Sequence, residues 1–185
     1  MNDLRSISDI DNEKLTDDNS CPFDVPFILS KADEALLAHK DAALFSVIRL
    51  EADELCSFVQ KRSNKKWLWL VMNTANRQII SFHVGNRGKE DAQQLLDKVP
   101  DFFKQKGTFF TDFWKAYELI EPEQHVQAGK ETGLCNHIER FNNTLRQRCA
   151  RLVRKTLSFS KKIELHIGAI KYFICHYNKF LALQI

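Results

Sequence analysis

SVIRLEADELCSFVQ (46–60), KRSNKK (61–66), WLWLVM (67–72), NTANR (73–77) and QIISFHVG (78–85) follow one another without interruption. The first segment is rich in β-branched and aromatic residues. Its Ile48, Leu50, Ala52, Cys56 and Phe58 share one parity, which predicts a strand. A polar break ends it. Two apolar runs then flank NTANR, whose turn-forming composition predicts a hairpin of two further strands. Outward from this block, KEDAQQLLDKVPDFF (89–103) spaces Leu95, Leu96 and Val99 along one helical face, with Pro100 marking its end. TFFTD (108–112) reads as a short strand closing on Asp112. FWKAYELI (113–120) reads as a helix stopped by Pro122, and EQHVQA (123–128) as a last strand. From about Leu134 a long helix places Ile138, Phe141, Leu145, Cys149 and Leu152 at steps of 3, 4, 4 and 3. A second helix starting near Ser160, with that serine as N-cap, repeats Ile163, Ile167, Ile170, Ile174 and Tyr177.

Three adjacent strands followed by alternating helices and strands predict an α/β fold: a mixed sheet flanked by helices, with a basic helical region at the C-terminal end. The ribonuclease H-like fold has this order. Residues 46–185 are read as this domain. Residues 1–45 are read as an acidic, partly disordered segment, with a short helix over 31–44. The chain has 185 residues, 44% apolar and 11% aromatic, enough for one core. Its net charge of +3 is uneven. Residues 1–60 hold 5 Lys/Arg against 13 Asp/Glu, and residues 61–185 hold 22 against 11. A strongly basic remainder points to nucleic acid as partner. No apolar run approaches the ~20 residues of a membrane span, and the first residues do not form a signal peptide. Five cysteines with no CxxC pair argue against disulfides or a zinc site, so the cytoplasm is the expected location.

Two aspartates interrupt segments that otherwise want burial: Asp53 inside the first strand and Asp112 at the end of the fourth. Glu139 lies about 100° round its helix from Ile138, flanking the apolar stripe. Three acids from two strands and a helix can meet at one sheet edge. Hard oxygen ligands of this kind suit Mg²⁺, and two such ions ~3.5–4 Å apart activate a nucleophile at a phosphodiester. Read singly, each acid has a plainer explanation. Asp112 is a good cap for the segment after it, and Glu131 is a rival third carboxylate on a loop.

The segments A-D-E-L, T-D-F-W-K-A-Y and H-I-E-R-F-N-N-T-L-R-Q-R-C-A-R-L-V-R-K-T-L-S-F-S-K resemble the transposase of the insertion-sequence-one family. The resemblance runs from about Leu50 to the C-terminus. It implies an acidic-triad DNA transposase with a ribonuclease H-like catalytic domain, cutting and joining strands at the ends of an insertion sequence. Asp53, Asp112 and Glu139 are then the catalytic, metal-holding residues. Mg²⁺ is the implied cofactor, as two ions, with Mn²⁺ able to stand in. DNA is the implied partner, both element ends and target, and a homo-oligomer is allowed for. Cys56 departs from the family, which usually has Trp there. The family's N-terminal zinc-ribbon and helix-turn-helix region is not matched by residues 1–48. The alternative is therefore a catalytically inactive, truncated transposase that acts only as a DNA-binding remnant or regulator. A nuclease of the same fold is a more distant reading.

From Arg140 to Lys162 there are eight bases and no acid. Like charges without counter-ions repel, and phosphate relieves that. Asn143, Arg146, Arg148, Arg151, Arg154, Lys155, Lys161 and Lys162 are the expected DNA-binding residues. Arg146 sits two turns beyond Glu139, within about 20° of it. His137 either assists proton transfer or is an ordinary residue of the first helical turn. Trp67, Trp69, Trp114 and Tyr117 read as packing residues. AGKETG is not a P-loop, because Gln124 and Glu131 stand where that motif needs Gly and Ser/Thr.

Overall fold

The structure is a computed structural model that describes residues 48–153 and 157–183. The expectations placed on residues 1–45, and on Arg154 and Lys155, lie outside the described residues. β1 (Ile48–Phe58), β2 (Lys65–Asn73) and β3 (Ile79–Gly85) form an antiparallel meander. On the other edge of β1 lies β4 (Gly107–Thr111), parallel to it, and then β5 (His125–Gln127), parallel to β4. The order β3-β2-β1-β4-β5 is that of a ribonuclease H-like sheet. Among the described residues four α-helices accompany it: α1 (Lys89–Asp97), α2 (Asp101–Lys106), α3 (Asn136–Arg148) and α4 (Ile163–Ala182).

Side chains alternate across β1 and β2, and both faces are covered. Leu50, Ala52, Trp69 and Val71 face one core with Leu95, Phe103 and Tyr117. Leu55, Leu68, Leu70 and Met72 face the other, with Ile138, Phe141, Leu145, Ile170 and Ile174. Each fully buried aliphatic or aromatic side chain contributes about 1.5–3 kcal/mol. This two-sided burial is why β1 and β2 read as near-continuous apolar runs. Gly107 opens β4 because a Cβ there would lie 2.5 Å from the Phe103 carbonyl and 2.6 Å from Leu50. Its place opposite Ile48 starts the parallel register.

Three local expectations are corrected. Pro100 does not simply end one helix. It N-caps the short α2, since its missing N–H costs nothing at a helix start. The segment after Asp112 is a single 3₁₀ turn, Lys115–Leu119. The Asp112 carboxylate accepts from Trp114 N at 2.9 Å, which bends the chain before an α-helix can start. Ser160 does not cap α4. Lys162 holds that position, and the fully buried Ser160 hydroxyl meets His166 Nδ1 at 2.9 Å. The other nitrogen of that ring meets Ser57 Oγ at 3.0 Å. Burial first, and then the Arg151 charge, lowers the His166 pKa and keeps the ring neutral. The ring thus ties β1, the segment before α4 and α4 together.

Candidate active site

The parallel pairing of β1 and β4 sets Glu51 opposite Phe110. Extending that register by two residues sets Asp53 opposite Asp112. α3 packs against β1, and its Glu139 lines the same cavity as the two aspartates, while Glu54 is the acid beside them. A cavity of about 400 Å³ is lined by all three acids, together with Glu54, Arg87, Asn142, Asn143 and Arg146. One carboxylate oxygen from each of Asp53, Glu54 and Asp112 lies within 4.8 Å of the others. The three expected acids, from segments far apart in sequence, therefore face one cavity.

The surroundings of Asp53 are unusual for a carboxylate. Oδ1 accepts from Glu54 N at 2.8 Å and Oδ2 from Asn142 Nδ2 at 2.7 Å. These bonds favour the charged form, yet the pKa is raised from 3.8 to about 7. Burial is the main cause, followed by the charges of Glu54 and Asp112. Glu54 is also raised, by burial and by Asp112, against the opposing effect of Arg87. Crowded oxygens that resist ionisation are the donor set a hard divalent cation stabilises. The amide oxygen of the buried Asn142 has no hydrogen-bond partner among the described residues, although the residue lines the cavity. The residues present therefore fit a divalent metal. Cys135 also lines the cavity. Burial, then Glu51 and Asp53, push its thiol up to about 12, so it is no nucleophile near neutral pH.

Glu139 depends on how α3 is anchored. Its N-cap, Cys135, supplies no side-chain bond. Glu51, fully buried on β1, takes that role from the sheet. Oε2 accepts from Ile138 N at 2.9 Å, and Oε1 lies 2.9 Å from His137 Nδ1 and 3.5 Å from Arg49 Nη2. A carboxylate at a helix N-terminus also meets the positive end of the helix dipole. Arg49 holds the incoming chain through the Leu134 carbonyl and lies over the Phe110 ring at 4.3 Å.

A family model described as IS1 transposase matches residues 46–180. The chain belongs to the IS1 transposase family. It is similar to the insertion element iso-IS1n protein InsB of Shigella dysenteriae, 36% identical over 124 residues, covering 67% of this chain and 92% of that one. Against the insertion element IS1 protein InsB of Shigella flexneri it is 34% identical over 135 residues, covering 71% and 99%. Among solved structures, the HTLV-2 integrase catalytic core domain, in complex with magnesium in its trimeric form, is similar at a TM-score of 0.44 and 12% identity. That match covers 68% of this chain and 82% of that one.

Of the DNA-binding residues expected in this IS1-family chain, Asn143 and Arg146 reach the cavity. Arg146 also donates to the Cys56 carbonyl at 3.4 Å. Arg148, Arg151, Lys161 and Lys162 are exposed outside its lining, and Arg151 donates to the Ser158 carbonyl at 3.2 Å. His137 serves Glu51, its Nδ1 lying 2.9 Å from Oε1. Glu131 lies exposed on a 3₁₀ turn, Lys130–Thr132, outside the lining. Trp69 and Tyr117 are fully buried and pack edge to face at 5.6 Å. Sequence reasoning missed Glu51, Glu54, Arg87 and Asn142. Glu54 and Asn142 stand inside the quoted motifs, one beside Asp53 and one a turn beyond Glu139. For Arg87 no sequence signal existed, because its setting is made by residues from three separate segments.

Proposed function

We propose that this chain is a divalent-metal-dependent polynucleotidyl transferase that cleaves DNA at the ends of an insertion sequence and joins the strands to a target. The observation that carries the reading is the cavity itself. It collects Asp53, Asp112 and Glu139, and in it Asp53 is held near pKa 7 by burial and neighbouring negative charge. Asp53, Asp112 and Glu139 would hold Mg²⁺ or Mn²⁺. Bound there, the ions supply charge neutralisation at a phosphodiester and activation of a water or 3′-hydroxyl.

The chain's own residues do the rest. Asn142 fixes the Asp53 carboxylate through Oδ2, linking the helix of Glu139 to the strand of Asp53. Glu51 holds the first turn of α3, which keeps Glu139 at the cavity. Arg146 and Asn143 face the substrate backbone from the same helix. The exposed bases Arg148, Arg151, Lys161 and Lys162, with Arg154 and Lys155, bind phosphates farther along the duplex, which positions DNA without reading its sequence. Cys56, Cys135 and Cys149 are free thiols among the described residues, in keeping with action in the cytoplasm. No helix among the described residues is long and apolar enough to cross a membrane.

The test is strand cleavage and joining on DNA carrying the element's own ends, with Mg²⁺ or Mn²⁺, comparing wild type with Asp112→Asn. Metal-dependent products from wild type alone support the reading. Equal products from both proteins remove the catalytic assignment. Retained DNA binding with no products from either favours the DNA-binding remnant.

A further inference from the structure

Arg87 has an environment that the acids do not explain. It stands in the short connection between β3 and α1 and lines the catalytic cavity. Its guanidinium lies over the Trp67 ring at 4.3 Å and over the Trp114 ring at 3.9 Å. Two indoles, one from β2 and one from the segment after Asp112, thus pack against the guanidinium. Nε donates to Glu54 Oε1 at 2.9 Å and Nη2 donates to the same oxygen. Glu54 is in turn fixed by Tyr117, whose hydroxyl donates to Oε2 at 3.1 Å. Two indoles and one carboxylate therefore hold the guanidinium, the carboxylate on its Nε–Nη2 edge.

One edge is left. Nη1 donates to nothing among the described residues, and Nη2 keeps its second hydrogen. The side chain is 36% exposed although two indoles pack against it. The Nη1–Nη2 edge is the pair of parallel donors that matches two oxygens of a phosphate. An ordinary surface arginine loses rotamer freedom on binding an anion. This one is already immobilised by two rings and a carboxylate, so little ordering cost remains. Glu54 spends one unit of charge on Arg87, but it does not occupy the open edge.

We propose that Arg87 is a phosphate-binding residue of the catalytic cavity. Its open edge grips a phosphodiester of the DNA strand beside the one being cut, with Glu54, Trp67 and Trp114 as the frame that aims it. The proposal rests on the reading of the cavity as a DNA strand-transfer site, and it adds the residue that sets the strand's path past the acids. Lysine cannot substitute. It would keep the charge but lose the fork and the planar stacking.

The experiment measures equilibrium binding, without catalysis, to duplex carrying the element's end, in Ca²⁺ or without metal. Single neutral methylphosphonate linkages replace each phosphate around the cleavage site in turn. In wild type, one linkage should weaken binding by about 10-fold or more, the scale of one charge-assisted contact. In Arg87→Lys that linkage should cost little further, while other sensitive linkages keep their effect. Identical profiles for wild type and Arg87→Lys overturn the proposal. A thermal melt checks that the variant folds, since the lysine stem still packs against the indoles. A second measurement uses wild type only. Phenylglyoxal modification of Arg87, read by mass spectrometry, should be suppressed by the duplex, and equal modification with and without DNA overturns the assignment. Both readouts need no turnover. Failure of cleavage with a clear Arg87-dependent linkage would therefore strike the catalytic reading and spare this one.

Discussion

Glu51 and Asp53 lie two residues apart on one strand and point to the same side of the sheet, yet they meet opposite fates. Glu51 is fully buried and has partners on both oxygens: a backbone N–H, an imidazole and a guanidinium. Asp53 has one backbone and one amide donor, two acids beside it and, among the described residues, no paired cation. The first is a structural acid whose charge is already answered. The second is held at about 7 by burial and repulsion, so its charge calls for a partner from outside. A buried acid is thus a candidate for function when its local charge is left uncompensated, and burial alone does not separate the two cases.

The comparison can be broken most directly at the candidate-site end. Asp112→Asn should lower metal-dependent cleavage at least about 100-fold while leaving the fold and metal-free DNA binding in place. A gel assay of cleavage beside a binding isotherm measures both, and unimpaired cleavage would return Asp112 to a turn-former. The next largest effect belongs to Glu51. Glu51→Ala strands a guanidinium and the first turn of α3, and should cost about 3–5 kcal/mol in denaturant unfolding. A loss below about 1 kcal/mol would mean that α3 is anchored elsewhere.

Asp53→Asn should act in the opposite direction. A carboxyl with a pKa raised from 3.8 to about 7 binds its proton more tightly in the folded chain than in the unfolded one. Metal-free stability should therefore be greatest at low pH and fall as pH rises from about 4 through about 7. In Asp53→Asn that slope should flatten, and the variant should be more stable than wild type at pH 8 by a few kcal/mol. Chemical denaturation at pH 5 and pH 8, with chelator present, reads this. A wild-type slope of the other sign would show that Asp53 ionises easily. The smallest effect is expected at Asn142. Asn142→Ala should weaken metal binding about 10-fold, as loss of a ligand's supporting bond does, with little change in stability. Calorimetric titration with Mn²⁺ measures it.

The sheet was legible because both faces of β1 and β2 are buried, leaving long β-branched and aromatic runs in the sequence. The helices α3 and α4 were legible from period, although the pattern ran on to Cys149 and Leu152, past Arg148 where α3 ends. Boundaries failed where a side chain competed for the backbone, as Asp112 did with Trp114 N, and where a hydroxyl answered a buried ring instead of a helix end, as Ser160 did. The three acids stood out because each interrupts or flanks an apolar pattern. Glu51 does the same and was passed over, since pairing with His137 and Ile138 is a property of three dimensions. The role of Asn142 was hidden for the same reason. It reads as polar filler until α3 is laid across β1.

The register of β1 against β4 has a consequence for how such a chain tolerates change in length. Asp53 and Asp112 are neighbours because two parallel strands stay in step, and the number of residues between them along the chain is incidental. The turns at 60–64 and 74–77 can grow or shrink without moving either acid, because they lie at the ends of strands already locked together. Removing a single residue within 107–111 is different. It would slide β4 by one step and turn Phe109, now in the core, toward the opposite layer. It would also carry Asp112 out of line with Asp53. Drift in length is therefore expected to collect in the hairpins and to be purged from five residues of β4.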